Sequence, residues 1–297
     1  MRIGVDFGGT KIEAIAIDAH GVERCRRRVE TPRDDYEASV RAVAALVAAV
    51  EQETGEQGTV GVGIPGAISP ATGVVKNANS TWLIGRPLDV DLARALGRPV
   101  RLANDANCFA LSEATDGAAA GASVVFGVIL GTGVGGGVVV NGRVLAGANA
   151  VAGEWGHNAL PWPDEREWPG PPCYCGRRGC IEVFLCGAGL RMACGSPDAF
   201  PSARAIADAA AHGDPDASAA LSVYVRRLAK ALATVVNVLD PDVIVLGGGL
   251  SNITALYSLV PAEWTNWIFS DRVETRLVRA RHGDSSGVRG AAWLWPG

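Results

Sequence analysis

Short apolar runs rich in β-branched residues alternate along the first part of the chain with longer segments of helical periodicity. The short runs predict strands, and apolar residues that recur every three to four positions predict helices. Strands and helices that alternate in this way favour an α/β fold. The predicted strands cover residues 2–6, 12–17, 22–29, 60–64 and 100–103, and the predicted helices cover residues 36–52, 89–96 and 105–120.

The middle of the chain repeats the pattern with which it begins. In both places an apolar strand runs into a turn of glycine and threonine, which a second strand follows. This repetition predicts two related α/β halves that face each other across a cleft. The later elements are strands over residues 124–130, 138–141 and 243–246, a turn over residues 131–137, and helices over residues 202–212, 216–239 and 286–294.

The length of 297 residues is large for one hydrophobic core and favours two domains. We expect a small N-terminal α/β domain over residues 1–104 and a large α/β domain over residues 105–285, which carries a cysteine-rich loop. A closing helix over residues 286–297 is expected to return to the small domain.

Charge and cysteine usage exclude several classes of protein. The net charge of −4 leaves no basic surface for nucleic acid and no polybasic signal for a membrane. No apolar run approaches the roughly 18–20 residues that span a bilayer. Seven cysteines are an odd number, and the N-terminus runs into a strand without a signal peptide, which favours reduced thiols in the cytoplasm.

One histidine and three cysteines offer a complete ligand set for a metal. His157, Cys173, Cys175 and Cys180 supply the imidazole and thiols that a closed tetrahedral zinc site requires. Prolines exclude a helix over much of residues 161–172, so a structural Zn²⁺ would hold a loop that has little core of its own. The alternative is a set of buried free thiols or a disulfide. We expect the remaining cysteines to be free thiols: Cys25, Cys108, Cys186 and Cys194.

Two glycine-rich turns are candidates for binding phosphate groups. Glycines let backbone N–H groups approach a phosphate closely, and Asp6, at the end of the first strand, is placed to hold Mg²⁺ through water. Each turn by itself is equally typical of a plain hairpin. A third group of glycines, after residues 243–246, either lies against an adenine and ribose or simply ends a strand. The candidate nucleotide-binding residues are Asp6, Gly8, Gly9, Thr10, Lys11, Gly131, Thr132, Gly133, Gly135, Gly136, Gly247, Gly248 and Gly249.

Asp105 stands where a buried strand becomes a helix. Aspartate caps helix N-termini well, so a purely structural cap is the alternative interpretation. The carboxyl end of a strand in an α/β fold is also where ligands bind, and Asn104 beside it offers an amide to the hydroxyls of a sugar. We expect Asp105 to be a general base that accepts the proton of an attacking hydroxyl, with Glu154 and Glu182 as further acceptors for sugar hydroxyls.

Together these segments resemble the ROK family of bacterial sugar kinases and repressors, within the actin-like ATPase superfamily. The resemblance spans nearly the whole chain, and its cysteine motif is highly specific. Within the family the chain is most similar to fructokinases of the manno(fructo)kinase type, on residues 31–36, 73–82, 156–158 and 279–295. The matching family motifs are residues 6–11, 104–107, 131–137, 153–157, 173–182 and 240–249.

The resemblance implies a two-domain actin-like ATPase (ribonuclease H-like) fold and a kinase that uses ATP and Mg²⁺, with Asp105 as the base. His157 either serves twice, with one ring nitrogen on zinc and the other towards a sugar hydroxyl, or is a structural ligand only. Family members are commonly dimers, so a homodimer is one assembly that the resemblance implies. The residues expected to bind the sugar are Gly66, Asn79, Asn104, Glu154, His157 and Glu182.

The expected substrate is a neutral hexose that is phosphorylated on its primary 6-hydroxyl. The resemblance at residues 77–82 favours fructose, with mannose or glucose as weaker substrates. The alternative is an N-acetylglucosamine or glucose kinase of the same family, although the sequence does not locate an apolar niche for an acetyl methyl group. Residues 166–172 and 192–202 depart from the family pattern, which leaves the lid beside the zinc undefined.

Two functions of other classes are also considered. Repressors of the family carry an N-terminal helix-turn-helix and tend to lose the catalytic carboxylate, whereas here a strand begins at Arg2 and Asp105 is present. A non-catalytic sugar or nucleotide sensor would keep the same fold. Two phosphate-binding turns together with a candidate base favour the enzyme over either alternative.

Overall fold

The computed structural model describes residues 1–195 and 198–296. Ser196 and Pro197, in the predicted lid segment 192–202, lie outside the described residues, as does Gly297 at the end of the predicted closing helix. Within these bounds strands and helices alternate as the hydrophobic pattern predicts.

The regular elements are numbered in chain order. The strands are β1 (Arg2–Phe7), β2 (Lys11–Ile17), β3 (Glu23–Glu30), β4 (Thr59–Ile64), β5 (Ala67–Ile68), β6 (Val75–Lys76), β7 (Val100–Asn104), β8 (Val124–Leu130), β9 (Val134–Val140), β10 (Arg143–Val144), β11 (Val243–Gly247) and β12 (Arg276–Arg279). The helices are α1 (Tyr36–Thr54), α2 (Leu88–Leu96), α3 (Asp105–Thr115), α4 (Ile181–Leu185), α5 (Gly187–Met192), α6 (Ala203–Ala211), α7 (Pro215–Leu239), α8 (Leu256–Trp264) and α9 (Ser286–Ala292).

The first sheet has the strand order β3-β2-β1-β4-β7. β1 pairs antiparallel with β2, whereas β1, β4 and β7 are parallel. The apolar stripe of α1, with Val43 and Val47 fully buried, shares one core with Ile3, Val5 and Val62 of the sheet. Because the carboxyl ends of parallel strands meet at one sheet edge, this edge carries the residues at the ends of β1, β4 and β7.

The described chain divides into two compact units, and the first extends beyond the predicted boundary at Asn104 to include α3. The reason is a buried connection between α3 and the segment that leads into α9. The fully buried carboxylate of Glu113 accepts hydrogen bonds from the Ser286 hydroxyl at 2.7 Å and the Arg281 amide at 3.0 Å. The first unit comprises Met1–Gly121, Gly137–Ala152 and Arg281–Gly297, and the second comprises Ala122–Gly136 and Gly153–Ala280.

The second sheet has the strand order β10-β9-β8-β11-β12, in which β8, β11 and β12 are parallel. Strand β9 begins at Val134 rather than at the predicted residue 138, so the glycine-rich turn covers residues 131–133 only. The prediction failed here because glycine usually signals a turn, whereas these glycines continue a strand. Helix α3 likewise ends at Thr115 rather than at residue 120.

Helix α7 supports the second unit. Asp214 caps it by accepting the Ala217 amide at 2.8 Å, and Pro215 occupies the first turn, where its missing N–H costs no hydrogen bond. The buried Tyr224 hydroxyl donates to the Leu185 carbonyl at 2.9 Å, which fixes the end of α4.

In the two described ranges, no helix combines the length and the apolar character needed to cross a membrane.

Candidate active site

Asp6 lies at the end of β1, in the first unit, among other charged side chains. Burial, and after it the carboxylates of Asp105 and Glu13, raises the pKa of Asp6 from 3.8 to about 6, against the opposing charges of Lys11 and Arg28. The structure therefore brings Asp6 and Asp105 into one electrostatic neighbourhood. A half-buried carboxylate that other carboxylates repel is a favourable partner for a cation, since the cation removes the repulsion.

The raised pKa of Asp6 predicts that Asp6→Asn stabilises the protein at neutral pH. A pKa raised from 3.8 to about 6 means that folding favours the protonated carboxyl. The cost of ionisation is therefore absent below about pH 4 and grows as the pH rises through 6, reaching at most about 3 kcal/mol. Thermal melts of wild type and variant should differ at pH 7.5 and coincide near pH 4.

The matched control for this prediction is Asp34→Asn. Asp34 is an exposed carboxylate in the same unit, and its left-handed backbone (φ 60°) is one that asparagine adopts readily. This control should leave the melting temperature nearly unchanged at both pH values. An Asp6→Asn variant no more stable than wild type at pH 7.5 would show that the charge of Asp6 carries no folding cost.

The turn between β1 and β2 is tightly held. The Gly8 amide donates to the Lys11 carbonyl at 3.0 Å, and a Cβ on Gly8 would stand only 2.8 Å from that oxygen. Thr31 fixes the turn from β3's end, because its hydroxyl donates to the Gly8 carbonyl at 2.7 Å and its amide to the Thr10 carbonyl at 3.0 Å. Thr10 and Lys11 are exposed. A rigid turn with an exposed hydroxyl and cation suits a phosphate, and a contact of Gly8, Gly9, Thr10 or Lys11 with one stays a prediction.

Asp105 is the first residue of α3 and is exposed. The cap of this helix is Asn104, whose Oδ1 accepts the Ala106 amide at 2.9 Å, and the Asp105 Oδ1 accepts the same amide at 2.8 Å. Helix α3 therefore keeps a cap that does not depend on Asp105 alone. Because the oxygen of Asn104 serves this cap, a contact between Asn104 and a sugar would come from its amide nitrogen.

Gly66 directly precedes β5 and Asn79 follows β6, the two short strands that pair with each other. Gly66 has a φ of 149°, and a Cβ there would stand 2.7 Å from the Lys76 carbonyl and 3.0 Å from the Ala78 Cβ. Packing against the segment 76–78 thus accounts for this glycine without a ligand. Asn79 is exposed. Their predicted contacts with sugar stay predictions.

The second glycine turn, in the second unit, is held at both ends by the segment that follows the cysteine motif. The Gly131 carbonyl accepts the Gly187 amide at 2.9 Å, and the Val134 amide donates to the Glu182 Oε2 at 3.0 Å. Within the turn the Gly131 amide donates to the Gly133 carbonyl at 3.0 Å. Of the predicted phosphate contacts in this glycine-rich segment, Gly131, Thr132 and Gly133 lie in the turn.

Gly135 and Gly136 lie in β9 rather than in the predicted turn. The Gly135 carbonyl accepts the Trp155 indole N–H at 3.1 Å, and a Cβ on Gly136 would stand 2.6 Å from the Gly153 carbonyl. Gly136 therefore makes room for the segment that carries Glu154 and His157, and the Gly135 carbonyl anchors that segment through Trp155. Their placement corrects the sequence interpretation of a continuous glycine loop.

The third group of glycines ends β11, whose last residue is Gly247. Gly248 has a φ of 78°, and a Cβ there would stand 2.4 Å from the Leu130 carbonyl at the end of β8. Gly249 begins a short 3₁₀ turn. Close packing on β8 explains Gly248, and contact of these glycines with a nucleotide stays a prediction.

The four predicted metal ligands converge. The ligand atoms of His157, Cys173, Cys175 and Cys180 all lie within 4.8 Å of one another. Cys173 Sγ is 3.6 Å from His157 Nδ1, and Cys175 Sγ is 3.6 Å from Cys180 Sγ. A tetrahedron with Zn–S distances of about 2.3 Å and a Zn–N distance of about 2.0 Å separates its ligands by roughly 3.5–3.8 Å. The residues present therefore fit a structural Zn²⁺, with His157 as an Nδ1 ligand.

The second ring nitrogen of His157 contacts a residue that the sequence analysis missed. His157 Nε2 lies 3.0 Å from the Tyr174 hydroxyl, and the two rings meet edge to face at 5.1 Å. Tyr174 is 84% exposed, so a sugar hydroxyl that approached Nε2 would share it with this phenol or displace it. The signal for Tyr174 in the sequence was its position between two predicted ligands.

Glu154 and Glu182 belong to the same neighbourhood. Partial desolvation of its hydroxyl, followed by the charges of Glu182, Cys173 and Glu154, raises the pKa of Tyr174 above its usual value of 10. Glu154 is exposed, whereas Glu182 is half-buried and bonded to the glycine turn. In the second unit the structure thus brings the predicted sugar-binding residues Glu154, His157 and Glu182 together beside the metal ligands.

The loop before the cysteine motif, undefined by the sequence analysis, is anchored to α7. The buried Glu167 accepts the Arg227 Nε at 2.8 Å and lies 3.5 Å from the Lys230 Nζ. Lys230, itself 4% exposed, donates to the Trp162 carbonyl at 2.7 Å. No sequence signal pointed to this anchor, because its partners are about 60 residues apart and charged residues in a sequence are normally expected to be exposed.

Known sequences match this chain along its whole length. The sequence model of the ROK family matches residues 2–297. An N-acetyl-D-glucosamine kinase of Yersinia pseudotuberculosis serotype O:1b is 41% identical over 99% of this chain and 98% of its own length. The N-acetyl-D-glucosamine kinase of Escherichia coli K12 is also 41% identical, over 99% of both chains. These relatives are N-acetyl-D-glucosamine kinases, so they do not support the closer resemblance to fructokinases.

Solved structures match the fold. The ROK hexokinase from Thermus thermophilus superposes with a TM-score of 0.86 at 34% identity, over 99% of this chain and 97% of its own. A ROK family glucokinase from Streptomyces griseus, solved with glucose and AMPPNP, gives a TM-score of 0.78 at 30% identity over 99% and 98%. The predicted actin-like ATPase fold is confirmed. With the family model, the relatives and the fold in agreement over nearly every residue, this chain belongs to the ROK family.

Proposed function

We propose that this chain is an ATP-dependent sugar kinase that phosphorylates the 6-hydroxyl of N-acetylglucosamine. The observation that carries the proposal is 41% identity to N-acetyl-D-glucosamine kinases over 99% of the chain. The exposed carboxylate of Asp105 at the end of β7 is the feature of this chain that suits such chemistry. Glucose is the second candidate, on the 30% identity to the glucokinase from Streptomyces griseus.

In the proposed reaction Asp105 accepts the proton of the attacking 6-hydroxyl and orients that oxygen towards the γ-phosphorus of ATP. Phosphoryl transfer asks for alignment and charge stabilisation more than for covalent participation of the protein. General-base assistance of this kind contributes about 10²–10⁴-fold. Thr10 and Lys11 are the exposed donors of the first turn that a phosphate would meet.

The proposed cofactors have residues that fit them. Asp6 would hold Mg²⁺, which when bound would neutralise charge on the ATP phosphates. His157, Cys173, Cys175 and Cys180 would hold Zn²⁺, which when bound would fix the loop beside Glu154 and Glu182. These two carboxylates are acceptors for hydroxyl or amide N–H groups, and both the sugar ring and an acetamido group supply such donors.

The sequence-based preference for fructose rested on residues 77–82, and the structure gives that stretch a packing role. Ala78 lies against Gly66, and the Trp82 indole N–H lies 3.3 Å from the Ser39 hydroxyl on α1. A segment that packs within its own unit can resemble the equivalent segment of a fructokinase for packing reasons, without determining which sugar binds. The relatives therefore favour the alternative, an N-acetylglucosamine kinase, over a fructokinase.

Specificity constants test the proposal. We expect kcat/KM for N-acetylglucosamine to exceed that for fructose by more than about tenfold, which corresponds to about 1.4 kcal/mol of differential transition-state binding. A coupled assay of ADP release with N-acetylglucosamine, glucose, mannose and fructose measures this ratio. A larger constant for fructose would overturn the substrate assignment, and no ADP release with any sugar would overturn the kinase itself.

A bacterial host's own sugar kinases could contaminate such an assay. Asp105→Asn, purified in parallel, is the control, because host activity would appear equally in both preparations. Activity that belongs to this chain should be present in wild type and nearly absent from the variant.

A further inference from the structure

Glu182 connects two parts of the second unit that the sequence analysis treated separately. It stands two positions after the metal-ligand candidate Cys180, and its Oε1 lies 3.9 Å from the Sγ of Cys173. Its Oε2 accepts the Val134 amide at 3.0 Å, where the glycine turn passes into β9. One half-buried carboxylate thus reaches from the cysteine motif to the turn predicted to bind phosphate.

The turn is shaped to receive this carboxylate. A Cβ on Gly133 would stand 2.8 Å from the Glu182 Oε2, so a larger residue would push the carboxylate away from the Val134 amide. At the other end of the turn the Gly131 carbonyl accepts the Gly187 amide at 2.9 Å. The segment from Glu182 to Gly187 therefore holds both ends of the turn.

We propose that Glu182 is a positioning residue for the nucleotide-binding turn as well as a candidate sugar ligand, an inference that rests on the proposed kinase function. A hydrogen bond from an amide to a carboxylate is among the stronger ones in proteins. Donors that are already oriented bind a phosphate without the cost of ordering a loop. Loss of the Glu182 carboxylate should therefore weaken nucleotide binding even when no sugar is present, which loss of a sugar ligand alone would not do.

The test is the Kd of AMPPNP with Mg²⁺, measured by calorimetry without sugar. Glu182→Ala should raise this Kd about tenfold, the low end for loss of a hydrogen bond to a charged group. Glu182→Gln keeps an acceptor oxygen and should stay within about threefold of wild type. Glu154→Ala, which removes the exposed carboxylate of the same unit, should leave the Kd unchanged within about twofold.

A second pair of variants keeps the proposal falsifiable if Glu182→Ala folds poorly. Gly133→Ala should raise the Kd by displacing the Glu182 carboxylate from the other side. In the double variant the added methyl meets no carboxylate, so its Kd should equal that of Glu182→Ala rather than the product of the two effects.

The outcomes separate this proposal from the proposed function. Wild type that binds AMPPNP and phosphorylates sugar, with Glu182→Ala binding AMPPNP equally well, would overturn the positioning role alone. Independent, multiplicative effects of Gly133→Ala and Glu182→Ala would overturn it as well. Wild type that binds no AMPPNP would instead overturn the kinase assignment.

Discussion

Asp105→Asn should lower turnover by at least about a hundredfold, the low end of what general-base assistance contributes. Asparagine has nearly the same shape and keeps an oxygen that can accept the Ala106 amide, which Asp105 accepts at 2.8 Å. What it lacks is the ability to take the proton of a sugar hydroxyl. Steady-state kinetics should therefore show a large loss in kcat with a small change in KM.

Stability and sugar binding distinguish this role from a structural one. Because Asn104 caps α3, the melting temperature of Asp105→Asn should stay close to that of wild type, and calorimetry should still detect sugar. Asn104→Ala is the contrasting variant, since it removes the N-cap side chain; because Asp105 still accepts the Ala106 amide, it should cost at most about 1 kcal/mol of stability. Near-normal turnover in Asp105→Asn with intact binding would make Asp105 a structural residue and end the proposed mechanism.

Cys180→Ser should lower zinc affinity by more than about a hundredfold, beyond the 10–100-fold that partners outside the ligand set typically cost. Cys180 is almost fully buried, and it is followed directly by α4, which carries Glu182. Since structural metal binding is coupled to local folding, the variant should also melt at a lower temperature and bind sugar more weakly. Elemental analysis of purified protein, together with thermal melts, measures both effects.

Cys194→Ser is the matched control for the metal prediction. Cys194 is a free, partly exposed cysteine of the same unit and stands outside the converging ligand set. It should retain one zinc per chain and the melting temperature of wild type. Freshly purified wild type that contains no zinc, or Cys180→Ser with unchanged metal content, would contradict the assignment of the four ligands.

The elements that the sequence predicted well are those with a strong local signal. Strands β1, β2, β4, β7, β8 and β11 show apolar runs, and α1 and α7 show long helical periodicity. The elements it missed are short or interrupted: β5, β6, β10, β12, α4 and α5 have two to six residues each, and α8 contains Pro261. The predicted start of β9 was wrong because Gly136 serves close packing against Trp155, a tertiary reason that the local pattern does not show.

The same contrast between local sequence signals and tertiary contacts applies to the candidate site. The cysteine motif was readable because zinc imposes residue types and close spacing, and the four ligand atoms do converge. The hydrogen bond from Val134 to Glu182 and the anchor of Glu167 on α7 join residues about 50 or 60 positions apart, and nothing in the sequence pairs them. Substrate preference was the property least predictable from the sequence, because the packing role of residues 77–82 obscures what they contribute to specificity.

The most direct test of the proposed reaction is ³¹P and ¹³C NMR of purified protein with ATP, Mg²⁺ and N-acetylglucosamine. Transfer to the 6-hydroxyl predicts a new phosphomonoester signal that grows with ADP, together with phosphorus coupling on C6 of the sugar. Asp105→Asn should produce this signal at least about a hundredfold more slowly. Unchanged ATP, release of inorganic phosphate alone, or phosphate on another carbon would contradict the proposed reaction.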